Sequence, residues 1–367
     1  MTSHTVTDTL AALPCPRVSA PALDASLSPE RLTAFLSRRY GQDLRHLRFA
    51  VQPLRGGLEA TAIASVRASY TDGQGRSSQT RFVAKRLDGL EAREATVYQA
   101  LAEEPVRTWV PRLLECERVG GGTCYLYMEQ VTPWRRWPWT DLTYATMVLE
   151  QLAVLHTTTP SAAFAACSAA WDYETVLAES AQKTLDKLAV VAAQGDGPAG
   201  IGSTRRPLER IVTALPAIRR ALREATPFGV APIHGDIHSG NVIIRAQGAT
   251  QQPVFLDWSR ARMGSPLEDV SSWLHSLGYW VPAARQHHDA LLRRYLAARG
   301  LPGHLSREAR TALWLAETSN VLGGALRYHL SVLAGWGTPS LAARRQAGRA
   351  AGECLRVIRR TDALWRS

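Results

Sequence analysis

Lysine is nearly missing from this chain. Of its 43 basic residues three are lysines and forty are arginines, so a lysine at any position is a departure that composition does not explain. Cysteine is sparse as well: Cys15, Cys116, Cys124, Cys167 and Cys354 are odd in number and show neither CxxC nor Cys/His metal spacing. That excludes a disulfide framework and leaves reduced structural thiols. No uncharged apolar run reaches the roughly 18 residues of a membrane span, and MTSHTVTDTLAALPCP lacks the basic-plus-apolar pattern of a signal. The expectation is a cytoplasmic protein with no membrane partner.

At 367 residues and 46% hydrophobic content the chain is long enough for one large domain or two smaller ones, each with a real core. The formal net charge of +11 raises the question of nucleic acid. From Arg293 onward thirteen arginines stand against four acids, in a long helical pattern that includes SLAARRQAGRAAGECLRVIRRTDALW. Arg345, Arg349, Arg356 and Arg360 recur there at helical spacing. They read as a solvated basic helix face in preference to a nucleic-acid surface.

Three regimes follow one another along the chain. Residues 1–27 are rich in Thr, Ser, Ala and Pro without periodicity, as in a poorly ordered leader. SPERLTAFLSRRYG then has helix grammar, with Ser28 as cap, Pro29 in the first turn and Gly41 as the stop. From Leu47 to Val131 the pattern is strand-like in LRFAVQPL, ATAIASVRASY, QTRFVAKRL and CYLYMEQV, with turn-prone RGG, TDGQGRSS and GGGT between them. EAREATVYQALAEE interrupts these as a helix. After Pro133 the pattern is mostly helical, and ten of the eleven tryptophans lie at Trp134 or beyond. The division expected is a leader over 1–27, a strand-rich lobe over 28–131 and a helical lobe over 132–367.

Within the helical half stands IHGDIHSGNVII, residues 233–244, with a His, a Gly, an Asp, a second His and an Asn between two apolar runs. NVIIRA and PVFLDW flank a turn-like QGATQQ and read as a β-hairpin, with Asp236 and Asn241 before its first strand and Asp257 after its second. The hairpin would bring these three oxygen-bearing side chains to one rim. Two carboxylates and an amide are costly to gather unless something positive neutralises them. Hard oxygen ligands of this kind suit Mg²⁺, whose shell is completed by water and substrate phosphates. Side-chain caps in a loop would explain one such residue, not three in this order.

HGDIHSGN followed by LDW, its Asp257 sixteen residues after Asn241, resembles the catalytic loop and metal motif of the aminoglycoside phosphotransferase family. That family has a protein-kinase-like fold and includes choline-kinase-type and sugar-kinase-type members. The resemblance runs from Leu47 to the C-terminus. It implies that Asp236 orients the substrate hydroxyl and accepts its proton, and that Asn241 and Asp257 hold Mg²⁺ on the phosphates of ATP or GTP. His234 would be structural, and His238 a loop residue matching the HGDLHPGN form. The fold implied is α+β and bilobal, a five-stranded sheet with one helix and then a larger helical lobe, with nucleotide in the cleft between them.

The strand-rich half bears on this independently, because phosphoryl transfer needs phosphate contacts as well as metal ligands. FVAK puts one of the three lysines, Lys85, at the end of an apolar strand. An ammonium there can pair with phosphates and with a helix glutamate; a surface lysine on an edge strand fits the local sequence equally well. By resemblance its partner is Glu94, with Glu91 one turn earlier as the alternative. Gly56 and Gly57 in PLRGGLEATAIASV would let backbone amides approach phosphate, or form an ordinary turn. YLYMEQV resembles the hinge, where the backbone of Glu129 to Val131 would meet the adenine edge. In ARMGSPLEDVSSWL, Gly264 and Pro266 would shape a loop and Asp269 would cap the next helix.

The acceptor is read only as a small-molecule hydroxyl compound: a sugar, amino alcohol or natural product, with an aminoglycoside-type antibiotic as the alternative. A polycationic acceptor would draw on acids such as Asp172, Glu174, Glu268 and Glu317. Trp134, Trp137, Trp139, Trp273, Trp280, Trp314 and Trp336 offer stacking surfaces, although at helical spacing most aromatics are core. HGD and LDW with no APE argue against a protein kinase. A non-catalytic nucleotide-binding protein of the same fold, or a nucleic-acid-binding protein, are the readings from another class.

Overall fold

A computed structural model of the chain describes residues 27–40, 44–54, 62–133, 141–195, 197–247 and 250–366. The leader apart from Leu27, the helix stop at Gly41, the glycines Gly56 and Gly57, and Trp134, Trp137 and Trp139 lie outside the described residues. The first part comprises α1 (Pro29–Tyr40), β1 (Arg45–Pro53), β2 (Ala62–Thr71), β3 (Ser77–Asp88), α2 (Arg93–Leu101), β4 (Leu113–Val119) and β5 (Thr123–Glu129). The strands form one antiparallel sheet in the order β1-β2-β3-β5-β4.

Alternation along the strands sorts this sheet into two faces. Phe82, Ala84, Tyr125 and Tyr127 point one way and are covered by Leu32, Phe35 and Leu36 of α1, with Phe35 stacked on Tyr127 at 3.9 Å between ring centroids. The intervening Leu87, Leu126 and Met128 face the other way, into the core shared with α2 and the helical part. The sheet therefore carries a helix on each face, where the fold implied by the resemblance had one. The Ser28 cap is present, its Oγ accepting from the Arg31 amide at 3.3 Å. β4 has no counterpart among the strands read from sequence. It is an edge strand, half-buried along most of its length, so LLECERV lacks the clean alternation that marks β2 and β3.

The helical part contains α3 (Leu142–Leu155), α4 (Ala162–Ala169), α5 (Tyr173–Gln194), α6 (Arg205–Glu224), then β6 (Ala231–Ile233), β7 (Val242–Gln247), β8 (Thr250–Phe255) and β9 (Arg262–Gly264). It ends with α7 (Pro266–Trp280), α8 (His288–Ala298), α9 (Arg307–Asn320), α10 (Leu326–Leu333) and α11 (Leu341–Arg366). β7 and β8 pair as the expected hairpin, while β6 and β9 form a second two-stranded ribbon. The HGD loop leaves β6 and the segment after LDW enters β9, so this ribbon ties the two motifs together. α5, α6, α10 and α11 bury Leu177, Ile211, Ile218, Leu330, Leu355 and Ile358 in a core of their own. Among the described residues no helix is long and apolar enough to cross a membrane.

The thiols of Cys116, Cys124, Cys167 and Cys354 are free. Cys116 and Cys124 nevertheless meet across β4 and β5, their sulfurs 3.3 Å apart. On α11, Arg345, Arg349 and Arg356 are exposed. Arg360 instead turns inward to the buried Glu317 and lies over the Trp314 ring.

Candidate active site

The backbone of the HGD loop is held from three sides. His234 is fully buried and donates from Nε2 to the Leu256 carbonyl at 2.9 Å, while its Nδ1 accepts from the Asp236 amide at 3.2 Å. Gly235 has φ +79°, and a Cβ there would lie 2.3 Å from the Arg260 carbonyl oxygen, so only glycine fits between the two motifs. The Asn241 side chain donates to the Asp236 carbonyl at 3.0 Å, and the Asn241 backbone carbonyl accepts from Leu256 N at 2.8 Å. Asn241 is thus tied directly to Asp236 and to the residue before Asp257, on the rim of the hairpin. His238 caps a short turn by accepting from Gly240 N at 2.9 Å, as a loop residue does.

Lys85 lies on β3, a central strand between β2 and β5, and is 5% exposed; the surface-lysine alternative is excluded. Its ammonium donates to Glu94 Oε2 at 2.6 Å and to Asp257 Oδ1 at 3.1 Å. Glu94 of α2 is the partner, and Glu91 sits in the turn before the helix. Burial works against the Lys85 charge, but Glu94 and Asp257 outweigh it and raise the pKa above its ordinary value. Burial lifts Glu94 to about 7 even with Lys85 beside it. Asp257, which burial alone would raise, is held below its ordinary value by Lys85. Its backbone is in the left-handed region, φ +59° and ψ +68°, a conformation that non-glycine residues adopt at a cost and that recurs at functional sites. Asp236 is half-buried; desolvation raises its pKa, with Arg260 and His238 acting against the rise.

One support had no reading in the sequence and another was read differently. Arg93, the first residue of α2, clamps the segment after Asp257 by donating to the Ser259 and Ala261 carbonyls, each at 2.6 Å. Asp269 is not a helix cap. Ser265 and Glu268 form the capping box of α7, and the fully buried Asp269 carboxylate accepts from the amides of His234 and Gly235, each at 2.8 Å. The SPLE pattern already completes the box, which leaves the adjacent Asp269 without a capping duty; its partners lie some 35 residues away.

His156 completes this support, with Nε2 3.1 Å from Asp269 Oδ2 and Nδ1 2.8 Å from the Tyr295 hydroxyl. A carboxylate only accepts, so Nε2 carries the proton and Nδ1 accepts from Tyr295. Burial lowers the pKa of both His156 and His234, more than their acidic neighbours restore. Both are neutral in the fold, whereas the unfolded chain protonates them below about pH 6.5. The two histidines are therefore expected to lower stability as pH falls below about 6.5, by at most about 1.4 kcal/mol per pH unit each, with Glu94, lifted to about 7, offsetting at most one of them. Thermal melting between pH 8 and pH 5 checks this. A melting temperature that rises on acidification would contradict it.

The acids set aside for a cationic acceptor are committed elsewhere. Asp172 caps α5 through Thr175. Glu174 and Glu268 bind the buried Arg219 at 3.0 and 2.7 Å, and Glu317 pairs with His275 at 2.6 Å and with Arg360. Trp273 is fully buried and donates to the Ala145 carbonyl at 3.2 Å, a core residue. Trp336 is 39% exposed. At the end of β5 the Glu129 amide donates to the Arg112 carbonyl at 2.9 Å, and Val131 follows, buried.

This arrangement, a sheet lysine tied to a helix glutamate and facing an HGD loop and a terminal aspartate, is that of a kinase-like phosphotransferase. Residues 71–314 match the phosphotransferase enzyme family (APH), more than half of the chain, and the chain belongs to that family, whose enzymes move a phosphoryl group to a hydroxyl acceptor. The fold is similar to that of an ethanolamine kinase from Plasmodium vivax, at 11% identity over 94% of this chain and 93% of that one, with a TM-score of 0.55. It is also similar to a microcompartment-associated aminopropanol kinase, at 15% identity over 90% of this chain and 98% of that one, with a TM-score of 0.53. No curated protein matches the sequence.

Proposed function

We propose that the protein transfers the γ-phosphoryl group of ATP or GTP, as the Mg²⁺ complex, to a hydroxyl of a small molecule. The observation that carries this is the Lys85 ammonium, shared between Glu94 of α2 and Asp257 at the end of β8. It joins the sheet to the aspartate after the hairpin at one charged point, in a chain that has only two other lysines.

The donor set fits the metal. The Asn241 nitrogen is bound to the Asp236 carbonyl, which leaves its oxygen as a hard acceptor beside the ionised Asp257, and two protein oxygens completed by water and phosphate suit Mg²⁺. Bound there, the ion neutralises charge on the transferring phosphates. Lys85 pairs with the phosphates on the sheet side. The backbone of Glu129 to Val131 takes the adenine edge, the Glu129 amide excepted because Arg112 already holds it. The glycines Gly56 and Gly57 are assigned to the phosphates on sequence grounds alone. Asp236 orients the acceptor hydroxyl and takes its proton as the new O–P bond forms and the bond to the leaving diphosphate breaks; its desolvation makes it a better base than an exposed aspartate. A cytoplasmic location would give such an enzyme its nucleotide.

Measuring ADP formation with and without sugars, amino alcohols and aminoglycosides tests the reading. Mg²⁺-dependent ADP release stimulated by an acceptor is expected. No nucleotide-induced rise in melting temperature and no ADP release with any acceptor, together with salt-sensitive DNA or RNA binding, would replace it with the basic-surface alternative.

A further inference from the structure

A cleft of about 550 Å³ lies between α5, α10 and the turn before α2, with Arg260 in its lining. Lys183 and Lys187, four residues apart on α5, both line it. Every lysine of the chain other than Lys85 is thus in this one cleft. Arginine serves at forty other positions, so two lysines on one wall are not a matter of general surface charge.

Arg260 links the cleft to the reaction centre. Its carbonyl packs on Gly235, the residue before Asp236, and its guanidinium crosses to the Gly323 carbonyl at 2.6 Å, just ahead of α10. Arg327 of α10 lines the same cavity. Three acids also line the cleft, Glu91 of the turn before α2, Glu179, which is 3.9 Å from the exposed Lys183, and Asp186, which accepts from Gln182 at 3.1 Å, but Lys183, Lys187, Arg260 and Arg327 outnumber them. Lys187 is half-buried and, among the described residues, has no hydrogen-bond or ion-pair partner. Leu90, 71% exposed, and Val190, 46% exposed, form an apolar lip to the cleft.

We infer that the acceptor carries an anionic group, a carboxylate, sulfate or phosphate, which Lys183 and Lys187 bind with Arg260 while its apolar part rests on Leu90 and Val190. The inference rests on the phosphotransferase reading above and turns it away from polycationic acceptors. An ammonium on a flexible stem meets a compact anion as a point charge, and a charge-assisted contact inside a cleft is stronger than one in open solvent.

The scarcity of lysine makes the test direct. Reductive methylation with ¹³C-formaldehyde keeps the ammonium charge and places NMR signals on the lysines, assigned by their loss in K183E and K187E. With the nucleotide site filled by Mg·ADP, the Lys183 and Lys187 signals are expected to move saturably on titration with inorganic sulfate and with gluconate, and not with glucosamine. The K183E/K187E double variant should weaken sulfate binding by about tenfold or more and keep the ADP-induced rise in melting temperature. Signals unmoved by both anions, or sulfate binding unchanged in the double variant, would overturn the anionic acceptor. Loss of the ADP effect in the wild-type protein would instead overturn the phosphotransferase reading.

Discussion

Alanine in place of Asp236 is expected to lower kcat by about three orders of magnitude while leaving Mg·ADP affinity and the melting temperature close to wild type. The expectation is sharp because the residue has separate duties on separate atoms. Its amide donates to His234 and its carbonyl accepts from Asn241, and both contacts survive truncation of the side chain. Among the described residues the carboxylate itself makes no hydrogen bond, so what alanine removes is the group proposed to face the acceptor. Phosphoryl transfer through a loose transition state asks less of a base than of a positioning group, and Asp236→Asn separates the two. Asparagine keeps a hydrogen-bond acceptor for the hydroxyl but cannot take its proton. A stopped assay of ADP formation, read beside an ADP titration, decides the matter. An alanine variant that retains a tenth or more of wild-type kcat would remove Asp236 from the reaction.

Glu268→Ala is expected to cost about 3–5 kcal/mol of folding stability, a large share of the roughly 5–15 kcal/mol that holds a folded protein together. Glu268 is 1% exposed, and Oε2 accepts from both Arg219, at 2.7 Å, and Arg262. Each of those arginines is 3% exposed. Burial alone would raise the Glu268 pKa, but Arg262 and Arg219 hold it below the ordinary carboxylate value. Truncation leaves two guanidinium groups buried with their common partner gone and removes the Glu268 half of the α7 capping box. Arg219 retains Glu174 at 3.0 Å and Arg262 retains the Tyr173 ring at 3.4 Å, so Glu268→Gln, which keeps a neutral acceptor, should lose less. Urea denaturation ranks the three proteins; an alanine variant as stable as the wild type would mean that the two arginines reach water.

The groups proposed to react were legible where chemistry restricts residue type and order at once. HGD, the Asn five residues on and the Asp after the hairpin leave few other readings, and a lysine in a chain that avoids lysine marks itself. The groups that hold them were not legible, because their partners are distant in sequence. Asp269 looks like one more acid in the first turn of a helix until the amides of His234 and Gly235 are seen to bind it. Glu174, Glu268 and Glu317 look like a supply of negative charge for a ligand until Arg219, Arg262, His275 and Arg360 are found to consume it. β4 went unseen for a different reason: an edge strand half-buried on both faces does not sort its residues by face.

The helix over the outer face of the sheet bears on how the protein can be cut. The family match begins at residue 71, after α1, β1 and nearly all of β2. A fragment trimmed to the matched span would keep Lys85, Asp236 and Asp257 and lose the layer that covers Phe82 and Tyr127. Exposed apolar surface of that kind drives association. The span that matches the family is thus smaller than the unit that buries this sheet face, and expression boundaries are expected to serve better upstream of Leu27 than at residue 71.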